Sequence, residues 1–100
     1  IEEARFNALG YRLLGQGQTG AAIAVFEMNV AAFPDSWNVY DSLGEALMND
    51  GQRAAAIASF RKSLELNPGN DNARRMLQRL GVDAGPAAPP ARLPPPPPRG

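Results

Sequence analysis

The feature that most constrains this chain is an internal repeat. When residues 1–34 are compared with residues 35–68, eleven positions are identical. The identical pairs are Leu9/Leu43, Gly10/Gly44, Leu13/Leu47, Gly17/Gly51, Gln18/Gln52, Ala21/Ala55, Ala22/Ala56, Ile23/Ile57, Ala24/Ala58, Phe26/Phe60 and Pro34/Pro68. A constant offset of this length is typical of stacked helical hairpins, because each hairpin buries its apolar face only against a neighbour. The sequence therefore predicts an all-α array of two helix-turn-helix repeats.

Apolar residues within each repeat recur every three or four positions, the spacing of one face of an α-helix. We predict helices over about 3–16, 20–33, 37–49, 53–66 and 71–80. Pro34 and Pro68 end the second and fourth helices, because the residue before a proline avoids the helical conformation. Asn70 or Asp71 is expected to cap the fifth helix. The predicted domain is 1–80, with repeats at about 3–36 and 37–70 and a cap helix at about 71–80.

The fifth helix renews only half of the repeat pattern. Leu77 stands one full repeat after Leu43, but Arg74 stands at the position of Tyr40. Gln78 likewise replaces a glycine of the repeat. Helical arrays need a polar terminal element, so we predict that this helix is a solvating end cap.

The repeated glycines at 10 and 44 lie in the middle of predicted helices, where glycine costs about 1 kcal/mol relative to alanine. That cost is understandable if each glycine lets the two helices of a hairpin approach closely. The expected contacts are Gly10 with Ala22 and Gly44 with Ala56. Phe26 and Phe60 are then expected to fill the space between successive hairpins.

These residues resemble the tetratricopeptide repeat family over residues 3–80. The family's W-x-x-L-G-x-x-Y run is represented by Phe6-x-x-Leu9-Gly10-x-x-Leu13 and by Tyr40-x-x-Leu43-Gly44-x-x-Leu47. Its later Ala, Phe and Pro are represented by Ala22, Phe26, Pro34 and by Ala56, Phe60, Pro68. Leu13 and Leu47 stand at the position where the family often has tyrosine. The resemblance implies a short right-handed α-α superhelix with a concave face, made by the first helix of each hairpin, that binds extended peptides.

Placed on that scaffold, eight side chains face the groove. They are Asn7, Tyr11, Leu14, Asp41, Glu45, Met48, Arg75 and Arg79. Two interpretations remain open for the charged ones. Asp41–Arg75 and Glu45–Arg79 are ion pairs between neighbouring helices, or the arginines donate to a carboxylate of a ligand. A family mode that clamps a C-terminal carboxylate is not expected, since its positions here hold Asn7, Tyr11, Ser42 and Asn72.

The composition argues against catalysis and cofactors. The chain has no cysteine and no histidine, which removes thiolate ligands, disulfides and the commonest general base. Asp41 and Glu45 are one helical turn apart but lie on an open predicted surface, and Ser42 and Ser63 have no base to activate them. We therefore predict no enzyme activity, no metal site and no cofactor. Basic residues are few and not interleaved with aromatics, so no nucleic-acid partner is expected. No apolar run approaches a membrane span, so no membrane partner is expected either.

Charge is balanced overall but uneven along the chain. Residues 1–50 hold two arginines against seven acids, a net of −5, and residues 51–100 hold eight basic residues against three acids, a net of +5. This asymmetry favours head-to-tail contact between copies, or it reflects solvated helix faces that merely differ. Two repeats are fewer than about three, the number a stable array usually needs. We therefore expect another domain or copy to cover the outer surface of the first helix around Ile1 and Phe6.

Residues 81–100 form a proline-rich tail. The tail's candidate ligand segment comprises Arg92, Pro94, Pro95, Pro97, Pro98 and Arg99. Its five consecutive prolines favour a polyproline II helix of about 15 Å and satisfy loose PxxP patterns. Three interpretations remain: a solvated spacer, a ligand for an SH3-type domain, or a segment lying in the groove of its own or a neighbouring copy. In the last, the prolines would pack on Tyr11, Trp37 or Tyr40. Trp37 itself is either a core anchor behind Phe33 or an exposed surface beside the groove.

The expected function is a non-catalytic protein–protein interaction module. It would bind an extended peptide in its concave groove, or self-associate, with its own tail as one means of doing so. The alternative is a C-terminal appendage that positions or oligomerises a larger bacterial enzyme. The run Tyr-Asp-Ser-Leu-Gly-Glu-Ala at 40–46 is similar to short repeat pairs that follow serine-hydrolase domains.

Overall fold

The computed structural model describes residues 2–85 and contains five α-helices. They are α1 (Glu2–Gly15), α2 (Thr19–Ala32), α3 (Trp37–Asn49), α4 (Arg53–Leu66) and α5 (Asp71–Arg79). No strand occurs in that part of the chain. The predicted all-α class is confirmed. Asn70 is the N-cap of α5, where its side-chain oxygen accepts a hydrogen bond from the Ala73 N–H at 3.3 Å.

The helices form two layers. In the first, α1 contacts α3 and α3 contacts α5; in the second, α2 and α4 each pack on helices of the first layer. Within residues 2–85, no Cα atom of α2 lies within 8 Å of a Cα atom of α4. A layer whose helices touch lies on the inside of a curve, and a layer whose helices are separated lies on the outside. We call α1, α3 and α5 the inner layer, and α2 and α4 the outer layer.

Each hairpin turns through the same left-handed glycine. Gly17 has φ 78° and Gly51 has φ 77°, a conformation that costs glycine nothing. The next residue then donates back into the preceding helix: Gln18 N–H to the Leu13 carbonyl and Gln52 N–H to the Leu47 carbonyl, both at 2.9 Å. This is the Schellman ending of an α-helix. The repeat in sequence thus extends to the geometry of the connection.

The close approach within each hairpin is between a glycine and a phenylalanine. The Phe60 ring lies so near Gly44 that a Cβ atom there would be 2.8 Å from its Cε1 atom, and Gly10 is crowded even more tightly by Phe26. Both rings are fully buried. The predicted contacts of Gly10 with Ala22 and of Gly44 with Ala56 remain predictions, since the atoms nearest to both glycines belong to the phenylalanines. The phenylalanine of the same hairpin, rather than the smaller alanine, occupies the space that the missing side chain leaves.

Two buried polar side chains tie the layers together at equivalent points. Asn29 of α2 donates from Nδ2 to the Glu3 carbonyl at 3.1 Å. Ser63 of α4, at the equivalent position of the second repeat, donates to the Trp37 carbonyl at 2.8 Å. Both donors are fully buried. Each bond joins the end of an outer helix to the start of the inner helix of its own hairpin.

The proline that ends each repeat also receives an equivalent bond. The Tyr40 hydroxyl donates to the Pro34 carbonyl at 2.8 Å, and Arg74 Nη2 donates to the Pro68 carbonyl at 3.1 Å. Arg74 is only 9% exposed. The expectation that Arg74 helps to solvate the end of the array was therefore wrong. It replaces Tyr40 as the residue that holds the proline turn, while Gln78 on the same helix is exposed as expected.

Packing continues beyond the last helix. Arg53, at the start of α4, donates twice to the Leu80 carbonyl, at 2.7 and 3.2 Å. Val82 and Ala84 are partly buried against the core. These contacts fix the end of α5 to the second hairpin.

Trp37, at the start of α3, is 39% exposed, so its interpretation as a core anchor was wrong.

The first helix differs from its counterpart on one face. Arg5 and Arg12 are exposed, whereas the equivalent residues of α3, Val39 and Ala46, are buried between the repeats. Phe6 is half-buried, and Ile1 lies outside the described residues. The proposed cover over this helix remains a prediction, but it would meet two guanidinium groups as well as apolar surface.

The Gly44–Phe60 contact predicts a large effect from a very small substitution. Gly44→Ala should destabilise the protein by about 1–3 kcal/mol, because the added methyl group overlaps a buried ring. Urea unfolding followed by helical circular dichroism measures this loss.

The matched control is Gly20→Ala, at a helical glycine with nothing within 4 Å of the added atom. It should leave stability unchanged or raise it by up to about 1 kcal/mol. Combining Gly44→Ala with Phe60→Leu should recover part of the loss. A fully additive double variant would contradict the proposed contact.

Candidate functional site

A row of hydrogen-bonded side chains crosses the three inner helices. The Tyr11 hydroxyl of α1 donates to Oε2 of Glu45 on α3. Asn72 of α5 donates from Nδ2 to Oε1 of the same carboxylate at 3.3 Å. Tyr11 and Glu45 were both predicted to face the groove, and the structure brings them into contact. The row joins helices that are far apart in sequence into one continuous surface.

Asp41 lies one turn before Glu45 and has a different environment. It is 8% exposed. Oδ1 accepts a hydrogen bond from Asn70 Nδ2 at 3.0 Å, and Asn72 Nδ2 lies 3.1 Å from both carboxylate oxygens. The Asn70 amide also donates to Ser63 Oγ at 2.8 Å. Asp41 is therefore a structural link between α3, α4 and the start of α5.

The predicted ion pairs Asp41–Arg75 and Glu45–Arg79 are not formed. Among residues 2–85 the ion pairs are Lys62–Glu65 and Arg74–Asp71, each at 3.5 Å. The reason is the geometry of α5, which buries Ala73 and Leu77. Arg75 lies two positions from each of them, on the opposite side of the helix, and both Arg75 and Arg79 are exposed. Asparagines near the start of α5 take the place of the arginines.

The remaining predicted groove residues divide into polar and apolar members. Asn7 is half-buried, and its Oδ1 accepts a hydrogen bond from Ser42 Oγ at 2.5 Å. Leu14 and Met48 are partly buried against the core. Only the exposed parts of the Leu14 and Met48 side chains can therefore contribute to the groove surface.

Tyr11 is held on both of its sides. Its ring packs edge-to-face on Phe26, with 5.2 Å between the ring centroids and 67° between the planes. Burial, followed by the hydrogen bond to Glu45, raises the pKa of the Tyr11 phenol above its usual value. The ring nevertheless remains 36% exposed. Tyr11 is thus an ordered aromatic side chain with an accessible edge.

Elsewhere in the described part of the chain, the candidates for a binding site are weaker. A cleft of about 620 Å³ is lined by Glu2, Glu3, Arg5 and Phe33, and none of the eight predicted groove residues contributes to it. In the described part of the chain, no three acidic side chains are grouped as metal ligands. No helix there has the length and apolar character needed to cross a membrane. The predicted tail residues Arg92, Pro94, Pro95, Pro97, Pro98 and Arg99 lie outside the described residues.

Sequence reasoning missed the structural role of two asparagines. Asn70 was predicted as a cap, and Asn72 was considered only as a position of a carboxylate clamp. The repeat offset pairs them with Ser36 and Asn38, so both positions are polar in both repeats. That recurrence was the available signal that these positions face polar neighbours.

The raised Tyr11 pKa predicts a titration that can be observed directly. In a Tyr40→Phe background Tyr11 is the sole tyrosine, and its absorbance change near 295 nm should have a midpoint above the usual value of about 10. Adding Glu45→Gln should lower that midpoint, because a neighbouring negative charge and an acceptor are removed. A midpoint of about 10 with the helices intact would contradict the described environment.

The same shift has a consequence for stability. The folded state holds the Tyr11 proton more tightly than the unfolded state does. The protonated phenol therefore contributes to the free energy of unfolding in full below about pH 10, and this contribution is lost as pH rises further. The wild type should therefore lose stability with rising alkalinity more steeply than Tyr11→Phe. Urea unfolding midpoints measured at about pH 8 and above about pH 10, on either side of the usual tyrosine pKa, test this prediction.

The link through Asn70 predicts a loss of stability rather than of binding. Asn70→Ala removes the cap of α5 and the hydrogen bonds to Asp41 and Ser63, and should cost about 2–4 kcal/mol. Asn38→Ala is a matched control, because no side-chain hydrogen bond of Asn38 occurs within the described residues. Equal losses in the two variants would contradict the role assigned to Asn70.

Comparison with known proteins finds a similarity for the second hairpin. Residues 37–70 match the sequence model of the tetratricopeptide repeat. These residues are α3, α4 and the turn that follows. No curated protein sequence matches the chain. Repeats of this kind generally mediate protein–protein interactions and are typically non-catalytic. Residues 37–70 are therefore similar to a tetratricopeptide repeat, and α1 and α2 form a hairpin of the same kind one repeat earlier.

Proposed function

We propose that the surface of the inner layer binds an extended peptide segment of a protein partner. The observation that carries this proposal is the row Tyr11–Glu45–Asn72, which crosses α1, α3 and α5. A peptide that lies across the three helices would meet side chains from each of them along one path. The surface is therefore suited to a chain rather than to a compact small molecule.

Order in the unbound protein supports the proposal. Tyr11 is fixed by Phe26 and Glu45, and Glu45 is fixed by hydrogen bonds from two helices. Side chains already held in place lose little conformational entropy when a ligand binds, and this improves affinity. A rigid aromatic ring beside a polar group is also a favourable combination for contact with a peptide.

The charged groups of this surface would give a bound peptide a direction. Glu45 offers a partly exposed carboxylate at the middle helix, and Arg75 and Arg79 offer exposed guanidinium groups at the α5 side. Asp41 is not part of the proposed contact, because it is buried and its oxygens are used by Asn70 and Asn72. We therefore assign partner selection to Tyr11, Glu45, Arg75 and Arg79.

Selection of peptides from a random displayed library against the full chain tests this function. For a selected peptide we expect amide chemical-shift changes along α1, α3 and α5, and affinity losses of about three- to tenfold for Glu45→Gln and for Arg79→Ala. Arg61→Ala, at an exposed arginine of α4, is the control and should leave affinity unchanged. Shift changes confined to α2 and α4, or equal losses for Arg61→Ala and Arg79→Ala, would contradict the proposal.

A further inference from the structure

The carboxylates of the inner layer have no cationic partner within residues 2–85. Their hydrogen bonds come from neutral groups: the Tyr11 hydroxyl and the amides of Asn70 and Asn72. Asp41 and Glu45 are one helical turn apart, so two negative charges lie close together on this side of the molecule. Such a surface attracts a basic ligand, and the attraction is greatest at the more exposed Glu45.

An aromatic edge lies next to that charge. Tyr11 donates to Glu45 while its ring remains 36% exposed. Proline rings pack well on ordered aromatic side chains, and an arginine can donate two hydrogen bonds to a carboxylate. A tyrosine and a glutamate in contact therefore suit a ligand that carries proline and arginine close together.

We propose that this ligand is residues 86–100 of the same chain, which would occupy the inner-layer surface when no partner is bound. The segment contains eight prolines, two arginines and no acidic residue. Arg92 precedes the five-proline run and Arg99 follows it, so either can pair with Glu45 while a proline packs on Tyr11. This inference rests on the proposed function, since it makes the tail an internal competitor for the peptide site.

The length of the segment is sufficient. Fifteen residues in polyproline II span about 46 Å, whereas three packed helices at 8–10 Å spacing span about 20 Å between the outer axes. The segment leaves the fold shortly after α5, which is itself an inner helix. Tethering gives an effective concentration of the order of millimolar. Contact within one chain is therefore favoured over contact with a second copy at ordinary concentrations.

Charge also distinguishes this surface from the other candidates. The cleft at the start of α1 is lined by Glu2, Glu3, Arg5 and Phe33, and its one aromatic ring has no hydroxyl group that could hold it against a carboxylate. The exposed part of α2 carries one acid, Glu27, and no hydrogen-bonded aromatic ring beside it. Glu45, by contrast, forms no ion pair within residues 2–85 and accepts a hydrogen bond from the partly exposed Tyr11.

A paramagnetic label on the tail tests the contact in the full chain. Because the chain has no cysteine, Ala91→Cys provides a single site for a nitroxide next to Arg92. We expect broadening of the amide signals of Tyr11, Glu45 and Asn72, and little broadening at Met28 on the outer layer. Broadening centred on α2, or none on the inner layer, would overturn the proposal.

Two variants establish the chemistry. Glu45→Gln should lower the paramagnetic relaxation rates on the inner layer by about two- to fivefold, the effect of losing one exposed ion pair. Replacing Arg92 and Arg99 together by alanine should lower the affinity of the tail for the site similarly, and should raise the affinity for a selected peptide. Glu27→Gln is the matched control and should change neither quantity. Equal effects of Glu27→Gln and Glu45→Gln would overturn the proposal.

The remaining outcomes separate the two proposals. In a mixture of isotope-labelled chains without nitroxide and unlabelled chains with nitroxide, broadening would show contact between copies and overturn the intramolecular assignment. If the tail makes no contact but selected peptides still shift the inner-layer signals, the tail assignment fails and the proposed function stands. If selected peptides also leave those signals unchanged, both fail.

Discussion

The architecture depends on one contact made twice, between a glycine of the inner helix and a phenylalanine of the outer helix. Gly10 receives Phe26, and Gly44 receives Phe60, with no room for a side chain between them. A glycine within a helix costs about 1 kcal/mol, but full burial of a phenylalanine contributes about 1.5–3 kcal/mol. The contact is therefore favourable as a whole. It also sets the distance at which the two helices of a hairpin pack, and through that distance the position of both layers.

The end of the array follows from the absence of this contact in α5. Gln78 occupies the position of Gly10 and Gly44, and its side chain would fill the space that a phenylalanine needs. The helix is also shorter: the left-handed turn falls at Gly81, one helical turn before Gly85, which is the position equivalent to Gly51. Arg53 and the segment containing Val82 and Ala84 hold this helix without a partner of its own. α5 thus completes the inner layer while ending the repetition.

The sequence predicted the helices and their order well, because apolar spacing and the repeat offset report on burial that recurs in every repeat. It predicted the partners of individual polar side chains less well. The offset places Tyr11 beside Glu45, as observed. It also places Glu45 beside Arg79, yet the observed donor is Asn72. Periodicity identifies which helices are neighbours, whereas a hydrogen bond depends on the direction of each side chain around its own helix. That direction follows from the burial of Leu77, which leaves Arg79 exposed and without an ion pair to Glu45.

The same reasoning explains why two carboxylates on one helix have different roles. Asp41 lies beside the start of α5, where the cap residue Asn70 is fixed by the turn after Pro68 and by Ser63. Its burial is therefore a consequence of the fold. Glu45 lies one turn further along α3, where only Asn72 reaches it from α5, and it keeps exposed surface beside Tyr11. The repeat thus uses one carboxylate for its own stability and leaves the other partly accessible, which is why the proposed partner contact involves Glu45 rather than Asp41.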